Sequence, residues 1–264
     1  RCSYGRASAN MHSVRGLKTM QDSNTDKRPF EGADALLPAH HALLFSALAG
    51  SILSTCGEAA EAILSDAVKS YALERGRRMR KRAIANRDGT SMASYRAYCE
   101  WTAPPGSISS VVVARSPVLV THTVTCPWYE AWRRTGRLRE GAFYCRYVDE
   151  YLVRGFDESL GLDVKTMHDP SNSGRCEFKW NGIDLTQQEE ARIDAMRARA
   201  EQGGVKDWRY HMGHLISSFA RSLRRHGMDE GAVLIPARAD FASLCGEAAA
   251  SVFDYYDEAD YDAE

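Results

Sequence analysis

The hydrophobic periodicity changes along the chain, and this change constrains the fold more than any other sequence feature. Apolar residues recur every three or four positions over residues 38–89, which predicts helices. Residues 107–127 alternate in the manner of β-strands, and residues 162–180 read as strand, turn and strand. The order predicts an α+β fold, in which N-terminal helices pack on a small, mostly antiparallel sheet with an internal helix and C-terminal helices follow.

The patterned part of the chain is predicted to form a single α+β domain over residues 35–254. Residues 1–34 are polar and lack an apolar period, so we expect this N-terminal segment to be disordered. Residues 255–264 are read as an acidic C-terminal tail that aids solubility. Within the domain, residues 232–236 (AVLIP) predict a short strand before the closing helix.

The composition argues against several classes of partner. The chain is 44% hydrophobic and 26% charged with a formal net charge of −1, so we expect no nucleic acid and no membrane surface as partner. The longest apolar run, ALLFSALAGSIL, is too short to span a bilayer. Seven cysteines without a paired framework or a secretory signal favour a reduced, cytoplasmic location. A homo-oligomer is compatible with this composition.

The helical stretch AFYCRYVDEYLVRGFD carries the most informative pattern. Spacings of three and four place a thiol and a carboxylate on one face with ordinary core residues: Cys145, Val148, Asp149, Leu152 and Phe156. Burying a carboxylate is costly unless it finds a partner. Perturbed carboxylates concentrate at functional sites, so we predict Cys145 and Asp149 as catalytic residues.

A second group of candidates lies on the predicted strands. Alternation places His122 and Cys126 on one face of their strand, and Cys176 lies on a later strand of the same sheet. If that face meets the helix of Cys145, two chemistries are open. A Cys145 thiolate, or a water held by Asp149, attacks an electrophilic carbon with His122 as base and partner of Asp149.

The alternative chemistry is a zinc site. Cys126, Cys145 and Cys176 would be its ligands, with a histidine or water as the fourth. No CxxC or HxxxH spacing supports this reading. The main hypothesis therefore needs no cofactor, and zinc belongs to the alternative.

Two histidines in YHMGH lie three positions apart on a predicted helix. His211 and His214 border its apolar stripe, so they could be ligands, an acid–base pair or surface residues. We predict His214 as an alternative proton shuttle and His211 as a substrate contact.

The remaining candidates concern substrate binding. A basic run over residues 75–82 reads mainly as a solvated face, but a planar guanidinium suits a carboxylate. We select Arg75 for this role because its neighbour Gly76 would permit close approach. Glu100, between aromatic residues in YCEW, and Trp128 complete the predicted substrate contacts, since aromatic side chains often line small-molecule pockets.

Several stretches together resemble the L-2-amino-thiazoline-4-carboxylic acid hydrolase family from about residue 40 to residue 253. They are HHALLFSALAG, YALERGRRMRKRA, YCEW, VTCPWYEAW, YCRYVDEYLVRGFD, GRCEF and DWRYHMGHL. The resemblance implies a hydrolase that opens a small cyclic amidine bearing a carboxylate and yields a carbamoyl amino acid. It assigns no residue roles, so those given above come from the residue patterns.

Two other functions remain open at this point. One is a metal-dependent hydrolase that uses the cysteine set or the His211/His214 pair. The other is a non-enzymatic sensor, because the order of helices, strands and cysteines is also similar to the vinyl-reductase-type small-molecule-binding domains. That similarity implies N-terminal helices packed on an antiparallel sheet, which agrees with the predicted architecture.

Overall fold

The computed structural model describes residues 35–172, 174–256 and 261, except for the side chains of residues 201–203. The predicted disorder of residues 1–34 lies outside this part. Of the predicted acidic tail, only Tyr255, Tyr256 and Tyr261 are described.

Helices dominate the described part of the chain. Pro38 at the first position of α1 and a side-chain cap from Asp207 on α7 illustrate the local signals that start them. No helix in the described ranges has the length and apolar composition needed to cross a membrane. The helices are α1 (Pro38–Thr55), α2 (Ala60–Ala85), α3 (Met92–Ala97), α4 (Pro127–Thr135), α5 (Leu138–Phe156), α6 (Gln187–Gly204), α7 (Trp208–Arg225), α8 (Glu230–Cys245) and α9 (Glu247–Ala250).

Four strands form one antiparallel sheet in the order β1-β2-β4-β3. The β3–β4 hairpin adds to β2, so β1 and β3 are the edges. The α+β prediction is therefore confirmed. The strands are β1 (Ser109–Ala114), β2 (Leu119–Thr125), β3 (Leu162–Lys165) and β4 (Cys176–Trp180).

Two apolar cores lie on either side of the α2–α5 pair. The larger one is built from α1, α2, α4, α5, α7 and α8, and the smaller one joins the sheet to α3 and α6. The helices α2 and α5 cross closely at two glycines. A Cβ on Gly76 would overlap the carbonyl oxygen of Leu152, and one on Gly155 would overlap that of Leu73. The missing side chain at Gly76 therefore allows the close approach of α5, not of a ligand as predicted.

The short strand predicted at residues 232–236 is wrong, because α8 begins at Glu230 and runs through Pro236. The Asp229 side chain accepts a hydrogen bond from the backbone of Gly231 and starts the helix. Val233, Ala237 and Phe241 then fall on one face and are fully buried. Packing of this face against the helical core outweighs the β propensity of the apolar run.

Candidate functional site

A cavity of about 200 Å³ lies between the sheet and the α2–α5 pair. Its walls come from α2, α3, the loop before β1, the end of β2, the start of α4, α5 and β4. Its lining includes the aromatic side chains of Tyr95, Trp101, Trp128, Tyr144, Phe178 and Trp180. The charged side chains in its lining are Arg75, Arg96 and Asp149. An apolar pocket with few convergent charged groups is the usual form of a small-molecule site.

Asp149 lies on α5 and turns its carboxylate into this cavity. No residue in the described part of the chain donates a hydrogen bond to that carboxylate. Its side chain keeps some exposed surface because it faces the cavity, while protein surrounds it otherwise. Burial raises its pKa from 3.8 to about 6, and the charge of Arg75 opposes this rise. Such a carboxylate can exchange a proton near neutral pH.

Arg75 lines the same cavity and is only 4% exposed. Its Nε donates a long hydrogen bond of 3.5 Å to Glu100, and its guanidinium lies 5.2 Å from the ring centre of Tyr71. Its Nη2 is buried and finds no acceptor among the described residues. A buried donor without an acceptor is costly, and the residue that carries it borders the cavity, so Arg75 is suited to an anionic group bound there.

The cysteines Cys126, Cys145 and Cys176 all line the cavity. Burial raises the pKa of Cys145 well above 9.0, that of Cys126 to about 11 and that of Cys176 to about 12. These side chains are therefore neutral thiols at physiological pH. Among the described residues, no group of three His, Cys, Asp or Glu side chains has the arrangement that holds a metal ion.

Trp128 forms part of the aromatic wall and is fixed from behind by a buried histidine. Its Nε1 donates to Nδ1 of His41 at 3.1 Å, so neutral His41 donates from Nε2 to the Tyr71 hydroxyl at 3.0 Å. Burial lowers the pKa of His41 to about 3, which keeps it neutral. Trp101 packs against Trp128 with ring centres 5.3 Å apart. Trp128, which the sequence predicts as a substrate contact, therefore lies in the cavity wall.

His122 does not join Asp149, and the predicted juxtaposition is wrong. Its side chain lies on the outer face of β2 and contacts Glu177 at 3.0 Å. The inner face of β2 carries Leu119, Thr121 and Thr123, which are buried. Cys126 reaches the cavity because β2 has ended and the residue caps α4, where strand alternation no longer applies.

His211 and His214 are fully buried but do not line the cavity. Arg78 Nη2 donates to Nδ1 of His214 at 3.3 Å. The proton of the neutral imidazole is therefore on Nε2 of His214, which donates to Glu74 at 2.6 Å. Burial lowers the pKa of both histidines well below 6.5, and nearby arginines lower it further. His211 contacts the backbone carbonyl of Glu100 through Nε2 at 3.1 Å. Neither histidine therefore meets the cavity as predicted.

Glu100 also lies behind the cavity rather than in its lining, with 1% exposure. Arg78 donates to it from Nε at 3.0 Å and from Nη2 at 3.2 Å, in addition to the contact from Arg75. Its carboxylate is occupied by two guanidinium groups, so it supports Arg75 instead of contacting a ligand.

A buried charge network behind the cavity was not predicted. It joins α2 to α7 through Glu74, Arg78, His214 and Arg221, and both carboxylate oxygens of Glu74 accept from Arg221 at 2.7 Å. The basic run predicts a mainly solvated face, yet Arg75 and Arg78 are each 4% exposed. Their spacing of three, following buried Tyr71, is the helical signal that could have revealed them.

Comparison with known proteins gives one family. A family model described as L-2-amino-thiazoline-4-carboxylic acid hydrolase matches residues 39–180, more than half of the 264 residues. Every residue lining the cavity falls within that range. No curated protein and no solved structure matches the chain significantly. The chain therefore belongs to the L-2-amino-thiazoline-4-carboxylic acid hydrolase family.

Proposed function

We propose that this protein hydrolyses a small cyclic amidine that bears a carboxylate, such as 2-amino-2-thiazoline-4-carboxylate, to a carbamoyl amino acid. The family description supports the reaction class. The observation that carries the proposal is that Arg75, whose buried Nη2 finds no acceptor among the described residues, lines the same cavity as Asp149. In this proposal, Arg75 supplies an anion-binding group and Asp149 a base, and both residues line one small pocket.

Arg75 binds the substrate carboxylate in this proposal. Its guanidinium stays charged at any physiological pH and presents planar donors that match a carboxylate. Trp128 and the neighbouring aromatic rings hold the heterocycle by packing. In the proposed pose, the amidine carbon of the ring faces Asp149 of α5.

Asp149 acts as the general base. It takes a proton from water as the water oxygen bonds to the sp² carbon between sulfur and nitrogen. The electron pair of the C=N bond moves to the ring nitrogen as the water oxygen adds. The ring C–S bond then breaks, the hydroxyl becomes the carbonyl of the carbamoyl group and its proton passes to the ring nitrogen, while the proton held by Asp149 passes to the departing sulfur. One water is consumed, and the product is a carbamoyl amino acid with a free thiol.

A water activated by Asp149 is favoured over the Cys145 thiolate as the attacking group. The raised pKa of Cys145 makes its thiolate scarce at neutral pH, and no described histidine lies in the cavity lining to deprotonate it. Cys145 then contributes to the cavity wall as a neutral thiol.

The test is to incubate the purified protein with 2-amino-2-thiazoline-4-carboxylate. Thiol release and the mass gain of one water report ring opening. Asp149→Asn should lower the rate by about a hundred- to ten-thousand-fold, the usual contribution of a general base. Cys145→Ser should stay within about tenfold of wild type, and Asp163→Asn, at an exposed acid on β3, serves as the control.

Four results would contradict the proposal. Wild-type turnover by folded Asp149→Asn excludes the base, and loss of turnover in Cys145→Ser with retained binding indicates a cysteine nucleophile. Tight binding without ring opening in the wild type indicates a binding protein. Stoichiometric zinc required for turnover would point to the metal-dependent alternative.

A further inference from the structure

Tyr261 occupies a recess on α7 that is built for it. The residue is 4% exposed, and its ring stacks on His214 with centres 4.9 Å apart and planes at 16°. Tyr210 packs against its edge at 5.1 Å. The recess exists because position 213 is glycine, since a Cβ on Gly213 would overlap the Tyr261 hydroxyl oxygen. Tyr261 therefore packs as a core residue.

The backbone of Tyr261 completes the hydrogen bonding of Arg78. Nη1 of Arg78 donates to the Tyr261 carbonyl oxygen at 2.7 Å. The other donors of that guanidinium go to Glu100 and to Nδ1 of His214. Because Arg78 is 4% exposed, loss of the Tyr261 carbonyl would leave a buried charged donor without an acceptor.

Arg78 is connected through Glu100 to the cavity residue Arg75. Arg78 holds both carboxylate oxygens of Glu100, and Glu100 accepts from Nε of Arg75. Glu100 is the charged partner of Arg75, with Nε and Oε2 3.5 Å apart, so a shift in where Arg78 holds Glu100 moves the carboxylate against which Arg75 is placed. A charged group that is out of place by about 1 Å can lose much of its binding contribution.

We propose that Tyr261 is a positioning residue for the carboxylate-binding Arg75, acting through Arg78 and Glu100. The proposal rests on the proposed function, because it assigns Arg75 the substrate carboxylate. It extends the site beyond the residues that match the family model, since α7 and Tyr261 lie outside residues 39–180.

Binding to the full chain, with Asp149→Asn present in every sample to suppress ring opening, tests the proposal without turnover. Trp101, Trp128 and Trp180 line the cavity, so quenching of tryptophan fluorescence reports a ligand there. The probes are 2-amino-2-thiazoline-4-carboxylate and 2-amino-2-thiazoline, which lacks the carboxylate. The control is Tyr255→Ala, at an exposed tyrosine near the same end of the chain.

Tyr261→Ala and Gly213→Ala should each weaken binding of the carboxylate probe by about tenfold and leave binding of the other probe unchanged. The double variant G213A/Y261F should recover the loss of Gly213→Ala, because removing the hydroxyl leaves the ring carbon Cζ 3.5 Å from the new methyl. A general loss of structure would weaken the binding of both probes alike, and adding Tyr261→Phe would not restore it.

Equal effects of Tyr261→Ala on both probes, or no effect on either, would overturn the proposal. The melting temperatures provide a test that needs no ligand. Gly213→Ala should lower the melting temperature of the wild type, which has Tyr261, and should lower that of the Tyr261→Phe variant much less. Equal effects in the two backgrounds would show that Tyr261 does not occupy the recess, and the proposal would fall. Failure of the Asp149→Asn protein to bind either probe, together with this coupling, would instead contradict the proposed function.

Discussion

Asp149 is held in a state that favours chemistry at the expense of stability. Its carboxylate faces a cavity with aromatic walls, receives no hydrogen bond from the described residues, and has a pKa raised by burial to about 6. The nearby charge of Arg75 keeps that pKa from rising further. The result is a carboxylate that is mostly ionised at neutral pH yet retains proton affinity.

This state predicts a pH-dependent gain in stability for Asp149→Asn. The folded pKa lies above the unfolded value of 3.8, so wild-type stability falls as pH rises from about 4 to 6. A shift of about two units corresponds to at most about 3 kcal/mol. Chemical denaturation should therefore show the variant more stable than wild type at pH 8 and similar at pH 4. A variant less stable at pH 8 would contradict the burial of a charged carboxylate.

Sequence reasoning located this acid but not its surroundings. Helical spacing was enough to place Asp149 and Cys145 on the inward face of α5. It could not decide which face of β2 is inward, because the more apolar face, with Val124 46% exposed, points outward. The inner face carries Thr121 and Thr123, and Thr121 accepts a hydrogen bond from buried Trp180 at 2.9 Å. A cavity wall does not need to be apolar, so the alternation misplaced His122.

At the level of elements, the α2–α5 crossing sets the geometry of the site. Arg75 lies beside Gly76, and the backbones approach so closely at Gly76 and Gly155 that no side chain fits. This contact brings Arg75 of α2 to the same cavity as Asp149 of α5. The sequence contained both glycines, but only the packed helices show which neighbour requires them.

Substitution of Gly76 should therefore be costly. Gly76→Ala forces a methyl group against the backbone of α5, and we expect a loss of about 2–3 kcal/mol in unfolding free energy. Gly50→Ala is the matched control in α1, since nothing lies within 4 Å of its Cβ. There alanine should be neutral or stabilise by up to about 1 kcal/mol. Equal unfolding free energies for the two variants would disprove the close crossing.

At the scale of the whole molecule, charged side chains tie the cavity to α7. Glu74 of α2 accepts from His214 and Arg221, and the same network reaches Arg75 through Arg78 and Glu100. The contacts from α2 to α7 join residues more than a hundred positions apart, which hydrophobic patterns cannot reveal. The family match ends at residue 180, so the supporting layer is partly built from the remainder of the chain.

Breaking this network should destabilise the fold as a whole. The Glu74 side chain is 7% exposed, and Glu74→Gln removes the charged partner of Arg221. We expect the free energy of unfolding to fall by about 3 kcal/mol. Glu61→Gln removes an exposed pair with Arg146 and should have no measurable effect. Urea unfolding of both variants measures the difference. A loss no larger for Glu74→Gln than for Glu61→Gln would show that the network does not hold α2 to α7.

The pH dependence of kcat/KM for thiol release from 2-amino-2-thiazoline-4-carboxylate tests the assignment of Asp149 most directly, because this parameter reports ionisations of the free enzyme. We predict that kcat/KM rises as pH increases through about 6, where Asp149 loses its proton, and is level above about pH 7. The rise should be absent in Asp149→Asn. A rise confined to pH values above about 9, abolished by Cys145→Ser, would contradict the assignment and identify a thiolate instead.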